Sequence, residues 1–258
     1  MKLFKEYFGE FLGTFILVLF GCGSVAAAVL LGVFDSLLEV ALIWGFGVAI
    51  AIFVTRNSCP AHLNPAVSLA MCTLRKLRWK KLPFYILAQT LGAFCAGLLL
   101  YFLFSDAIVV YESVNGILRG SAESYKSAFY FGEYFPNPGL EQVLPITVYR
   151  ACFAEFLGTF LLVFVILKVT EKPEQVDNST PLVIGLTVAI IICLIAPFTQ
   201  AGLNPARDFG PRMVAFMMGW RDAALPSAPY SFLTVYVLSP LFAGAFAAFA
   251  HKIMLPKV

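Results

Sequence analysis

The sequence predicts an all-α membrane bundle of six spanning helices and two re-entrant half-helices, arranged as an inverted repeat. Composition is the first of three observations that predict it. The 258 residues are 60% hydrophobic and 13% charged, with a mean hydropathy of +0.85. That is the balance of a polytopic membrane chain. The second is length: six apolar stretches reach the roughly 20 residues a helix needs to cross a hydrocarbon core, and two more stop about half-way. The third is a duplication: Glu10-Phe11-Leu12-Gly13-Thr14-Phe15 returns as Glu155-Phe156-Leu157-Gly158-Thr159-Phe160, and Asn64-Pro65-Ala66 returns as Asn204-Pro205-Ala206.

The six spans fall near 8–31, 38–55, 83–104, 147–169, 181–198 and 231–251. The first begins after Lys5 and carries Glu10; a signal peptide is the alternative, but this run is long enough to span. The shorter segments, near 65–73 and 205–217, are half-spans, because ten helical residues rise only about 15 Å. Each copy of the Glu-Phe-Leu-Gly-Thr phrase opens a span and is followed, after two spans, by an Asn-Pro-Ala half-span. Three full spans separate the copies, so the second enters from the opposite face, and binding or conduction is expected where the repeats meet near the midplane. The chain therefore reads as one membrane domain, 1–258, with repeats 1–104 and 147–258 joined by a loop, 105–146. The aromatic residues Phe129, Tyr130, Phe131, Tyr134 and Phe135 make this loop too apolar to be free coil, so it is expected to fold against the mouth of the bundle.

Charge orients the chain. Arg75, Lys76, Arg78, Lys80 and Lys81 follow the first half-span, and Lys2, Lys5, Lys168, Lys172, Lys252 and Lys257 flank other spans on the same side. By the positive-inside rule both termini are cytoplasmic. The 105–146 loop, with Arg119 and Lys126 against Asp106, Glu112, Glu123, Glu133 and Glu141, is then extracellular. Anionic lipid is an alternative partner for the basic cluster, and a formal net charge of +3 is too small to suggest nucleic acid.

Asn is a good helix N-cap and Pro fits the first helical position, so a single Asn-Pro copy needs no function. Two copies heading two half-spans are a different matter. A half-span and the segment feeding it must be enclosed by protein, since lipid leaves no partner for irregular backbone. The free N–H groups and positive dipole ends then meet at Asn64 and Asn204 in the interior. A cation or hydronium is repelled there, while the Asn amides can donate to a neutral oxygen. The feeding segments supply carbonyls as a ladder of acceptors: Pro60, Ala61, His62 and Leu63, and Gln200, Gly202 and Leu203. Arg207, in the first turn of the second half-span, reads as a fixed cation and donor lining the path, with a snorkelling Arg as the alternative. Glu10 and Glu155 occupy equivalent positions. A proton relay is one reading; their repetition with the fold favours buried carboxylates that accept backbone N–H groups.

His62 beside the first motif and His251 at the end of the last span make no metal cluster; His62 reads as structural or as a pH gate. The cysteines (Cys22, Cys59, Cys72, Cys95, Cys152, Cys193) lie singly in or beside apolar segments and read as small apolar residues. Trp44 within a span reads as packing. There is no nucleophile–base set, phosphate loop or cofactor motif. An enzyme is not expected.

The duplicated Glu-Phe-Leu-Gly-Thr and the paired Asn-Pro-Ala motifs resemble those of the major intrinsic proteins, the aquaporins and aquaglyceroporins. The resemblance covers essentially the whole chain. It implies an aquaporin-like fold with one pore per protomer and a homotetramer in the lipid bilayer. Asp208 directly after Asn-Pro-Ala-Arg, Arg212, the Pro240-Leu241 pair and Ile43-Trp44-Gly45 resemble the glycerol facilitator branch. By that resemblance the selectivity filter is Trp44, Ile192, Ala201 and Arg207. Ile192 stands where glycerol facilitators usually carry Gly and water channels His; Ala201 stands where a second aromatic is usual. The quartet is similar to that of some plant nodulin-like intrinsic proteins. Pro60 replaces the usual Gly and stiffens its loop.

The implied function is passive diffusion of glycerol and other small uncharged solutes, with water, while protons and ions are excluded. The alternatives are a water-dominated channel or one for metalloid hydroxides, boric acid or lactic acid. An inverted-repeat secondary transporter would need a coupling-ion site, and the repeat glutamates are the sole candidates. A purely structural membrane protein is the remaining class. A bacterial inner membrane is the expected location, and no cofactor is implied.

Overall fold

The structure, a computed structural model, describes residues 1–140, 143–171, 176–225 and 231–254. Of the charges used above to orient the chain, Glu141, Lys172 and Lys257 lie outside the described residues. In chain order the helices are α1 (Lys2–Leu31), α2 (Leu37–Thr55), α3 (Pro65–Thr73), α4 (Leu82–Val114), the short α5 (Tyr125–Ala128), α6 (Val148–Val169), α7 (Thr180–Thr199), α8 (Pro205–Ala215) and α9 (Ser239–Met254). Among the described residues there is no strand, and six helical stretches are long and apolar enough to cross a membrane. Large apolar side chains such as Phe53, Phe102, Ile190 and Phe242 lie exposed on them, the surface a hydrocarbon solvent accepts.

The packing follows the duplication. Helix α1 packs on α2 and α4 as α6 packs on α7 and α9, while each half-helix reaches across, α3 onto α9 and α8 onto α4. The two halves meet along α2 and α7. There Gly45 and Gly185 face each other, and a Cβ on Gly45 would come within 2.6 Å of the Gly185 carbonyl oxygen. Glycine at that crossing lets the backbones touch.

Several boundaries differ from the sequence reading. Helix α1 starts at Lys2, six residues before the expected span. Helix α4 continues to Val114, ten residues past the expected end of its span. No Gly or Pro interrupts 98–114, and the chain turns only at Gly116, with φ +64°, a conformation Gly adopts without a side-chain clash. Helix α8 stops at Ala215 and passes into a wider turn, Phe216–Trp220, broken at Gly219 (φ 107°). The last span opens as another wide turn, Leu233–Leu238, before regular helix from Ser239. Pro240 lacks the N–H that would close an ordinary turn there.

The segment after α4 is folded onto the bundle. Tyr130, Phe131, Tyr134 and Trp220 are buried together with Ile108, Val214 and Ala215. Arg119 stacks 4.3 Å over the Trp220 ring and pairs with Glu112 at 2.8 Å. This brings residues 129–135 against α8.

Candidate functional site

Each half-helix starts at a proline whose preceding asparagine caps it. Asn64 Oδ1 accepts from the Ala66 N–H at 2.8 Å, and Asn204 Oδ1 accepts from Ala206 and Arg207 at 3.1 and 3.2 Å. The amides cross between repeats: Asn64 Nδ2 donates to the Leu203 carbonyl at 2.9 Å and Asn204 Nδ2 to the Leu63 carbonyl at 2.8 Å. Each amide nitrogen carries two hydrogens, so one per Asn remains to donate elsewhere.

The feeding segments are held in a strained conformation along the path they line. Ala61 and Leu63, then Gln200, Ala201 and Leu203, have φ between 51° and 61°, a left-handed conformation costing roughly 1 kcal/mol each for a non-glycine residue. The two repeated glutamates hold them. Glu10 accepts from the N–H groups of His62 (2.9 Å) and Leu63 (2.7 Å) and from Gln89 Nε2 (2.8 Å). Glu155 accepts from the N–H groups of Gly202 (2.9 Å) and Leu203 (2.8 Å) and from the Thr199 hydroxyl (2.6 Å). Both carboxylates are fully buried. The glycine of the repeated phrase serves the same segments, because a Cβ on Gly13 would collide with the Leu63 side chain, and one on Gly158 with Leu203. Hence Glu-x-x-Gly recurs with the loop it supports.

A cavity of about 410 Å³ runs past these groups. Trp44, Ile192, Ala201 and Arg207 all line it, as do Asn64, Asn204 and the two feeding segments, Pro60 to Leu63 and Gln200 to Leu203. Leu17, Val48, Ile52, Leu162, Ile166 and Val188 give it an apolar side, and Arg56, Lys76 and Thr170 are among its other polar lining residues. His62 lines the cavity with its ring Nδ1 3.2 Å from the Ser68 hydroxyl. The first residues of the half-helices, Pro65, Ala66, Pro205 and Ala206, are buried and stand outside its lining. Among the described residues no group of three His, Cys, Asp or Glu could hold a metal ion.

Arg207 is buried, its guanidinium 4.4 Å over the Trp44 ring. Gly21 makes room for that ring, since a Cβ there would collide with it. Arg207 also forms an ion pair with Glu133, which the spacing of the sequence does not single out. The Nη1 of Arg207 has no hydrogen-bond partner among the described residues. Asp208 and Arg212, marks of the glycerol branch by resemblance, stand outside the cavity lining. They form a fully buried pair, 2.7 Å apart, that grips the loop. Asp208 Oδ1 accepts from the Glu133 N–H at 2.7 Å, and Arg212 Nη2 donates to the Glu133 carbonyl at 2.5 Å. Two opposed causes act on the Glu133 carboxyl: burial pushes it up and the Arg207 guanidinium pulls it down, and burial prevails, leaving it raised to about 8. Pro240 is buried at the start of α9 and Leu241 is half-buried beside it, in the helix whose Gly244 lies against the Ala66 carbonyl.

Glu133, Gln89 and Thr199 are the functional partners that sequence reasoning missed. A glutamate set among buried aromatics, Phe131 and Tyr134, was the one available signal for the first. Chemically, the arrangement offers two helix N-termini and a guanidinium directed at a narrow path, unspent N–H donors, carbonyl acceptors and an apolar opposite wall. Such a path suits an uncharged solute with one carbon edge and one hydroxyl edge.

The family model described as Major intrinsic protein matches residues 1–251. The chain is 36% identical to the glycerol uptake facilitator protein of Pseudomonas aeruginosa, over 99% of this chain and 90% of that one. It is 37% identical to the glycerol uptake facilitator protein of Haemophilus influenzae, over 95% and 91%. Its fold is similar to the X-ray structure of the aquaglyceroporin from Plasmodium falciparum, with a TM-score of 0.83, 28% identity and coverage of 99% and 98%.

Proposed function

The chain belongs to the major intrinsic protein family, and from that premise we propose that it is a passive channel for glycerol and other small uncharged solutes, with water, closed to protons and ions. It is an integral membrane protein and not an enzyme. One observation carries the reading. The two half-helices meet at Asn64 and Asn204, whose amides are tied across the repeats with one N–H each to spare, inside a cavity that is apolar on one side. A passing hydroxyl can exchange one donor for the next, whereas a cation meets two positive helix ends and a guanidinium.

In this reading Trp44, Ile192, Ala201 and Arg207 form the constriction, with Trp44 facing the carbon edge of a polyol and the Arg207 guanidinium donating to its hydroxyls. Pro60, Ala61, His62 and Leu63, with Gln200, Gly202 and Leu203, present the carbonyl ladder. Glu10 and Glu155 are structural acceptors. The inverted repeats, 1–104 and 147–258, are joined by an extracellular segment, 105–146, whose first residues continue α4. Both termini are cytoplasmic, the membrane is a bacterial inner membrane, and four protomers assemble with one pore each.

A second reading is favoured by two residues. Ile192 offers no donor and Ala201 no second aromatic, which widens the accepted set toward metalloid hydroxides, boric acid or lactic acid, or toward water. Light scattering of proteoliposomes after a rapid osmotic step separates the readings. Fast swelling with glycerol, altered in Trp44→Ala or Arg207→Ala, supports the first. Fast water relaxation with glycerol at the level of empty vesicles supports a water channel.

A further inference from the structure

Among the described residues, the charged side chains that line the cavity, Arg56, Lys76 and Arg207, are all cationic. Two half-helix N-termini add partial positive charge to the same path. Such a lining repels cations, but by itself it attracts small anions. Glu133 answers this. Its carboxylate pairs with Arg207 Nη2, yet it does not line the cavity and is 3% exposed.

We propose that Glu133 is the counter-ion of Arg207: by cancelling that charge and occupying one guanidinium nitrogen, it keeps the constriction selective for uncharged solutes over small anions. The inference rests on the reading that Arg207 lines the solute path. Its place in the loop is fixed by backbone contacts that are independent of its side chain. The N–H and carbonyl of Glu133 are held by Asp208 and Arg212. The neighbouring Tyr134 N–H donates to Gln200 Oε1 at 2.7 Å. Gly132 packs so closely on Arg212 that a Cβ would come within 2.7 Å of the guanidinium carbon. Glu133 engages Nη2, while Nη1 is buried and lacks a hydrogen-bond partner among the described residues. Without Glu133 neither terminal nitrogen would have a carboxylate partner, and that fork can bind an oxyanion in bidentate fashion. Glu133 acts through Arg207 and is therefore a positioning residue.

The test uses the full chain in proteoliposomes at pH 9, where the Glu133 carboxyl is ionised. Glycerol entry is followed by light scattering as sodium nitrate replaces sodium gluconate. In E133Q, nitrate should halve the flux at a concentration at least about tenfold lower than in the unsubstituted channel, one decade in anion affinity. E133D, which keeps the charge, should resemble the unsubstituted channel, and adding Arg207→Gln to E133Q should remove the sensitivity. Equal nitrate sensitivity with and without Glu133, or sensitivity that survives in the double variant, overturns the inference.

A second measurement needs no variant. Among the described residues, the charged and titratable groups around Glu133 are Arg207, Asp208 and Arg212 on α8, Glu155 on α6, Cys22 on α1, Tyr236 ahead of α9 and the neighbouring Tyr134. At pH 6 the Glu133 carboxyl takes up a proton and the unsubstituted channel should become nitrate-sensitive; the same insensitivity at pH 6 and pH 9 overturns the inference. Glycerol flux no faster than in empty vesicles would instead fail the preceding reading, and the nitrate comparison is then made on water flux.

Discussion

The first and second half-helices are built by one device and finished differently. In both, a buried glutamate from the preceding repeat helix holds two N–H groups, one of them on a left-handed leucine, a glycine one turn on clears space for that leucine, and an asparagine caps the helix. The third helical position then diverges: Val67 in one, Arg207 in the other. So does the next, where Ser68 bonds Gln89 at 3.0 Å and Asp208 instead anchors Arg212 and the connecting loop. The backbone scaffold of the path is duplicated. Its charge is not. The carboxylates that look most like relay groups are the part the two halves share, and Arg207, the cation of the proposed filter, is the part they do not.

The largest effect should come from breaking what is shared. Glu10→Ala and Glu155→Ala each strand two buried N–H groups, at a cost on the order of 4 kcal/mol. Thermal unfolding in detergent should show equal losses. A difference of several degrees between them would mean the two halves are not equivalent. Next in size, Gly45→Ala places a methyl group against the Gly185 carbonyl at the crossing of α2 and α7 and should cost about 2 kcal/mol as overpacking, read in the same melt, with Gly185→Ala matching it.

Selectivity should separate the halves. Arg207→Ala should change the ratio of glycerol to larger-polyol flux by about tenfold, the scale of one specific hydrogen bond, while Val67→Ala leaves that ratio within the scatter of replicates. Comparable shifts in both would erase the contrast. The smallest effect is steric: Ala201→Phe should reduce flux of solutes bulkier than glycerol a few-fold, on the order of 1 kcal/mol. Unchanged flux for them would remove Ala201 from the constriction.

Much of the fold is legible in the sequence because its signals are local and repeated. Span lengths follow from hydropathy, and the half-spans from being too short. The pairing of Glu10 with the first Asn-Pro-Ala and Glu155 with the second is marked by their recurrence. What the sequence hides is singular and long-range. Glu133 is one of several acidic residues in its segment, and nothing in its spacing tells that it reaches Arg207. That contact depends on how the aromatics around it bury against Trp220 and Val214. Gln89 and Thr199 complete the two carboxylate shells with different residue types, so repetition does not reveal them. The end of α4 escapes the sequence for a plainer reason: hydropathy falls at Asp106, yet a helix ends where its backbone is turned, at Gly116.

The crossed amides carry a consequence for how the protein is made. Asn64 is satisfied by the carbonyl of Leu203, and Asn204 by that of Leu63. During synthesis the amino-terminal repeat therefore enters the bilayer with its half-helix lacking the partner that closes it. That half-helix also packs on α9, which follows the other described helices in the chain. Because residues of both repeats line the cavity, the pathway is complete only once the second half-helix has met the first.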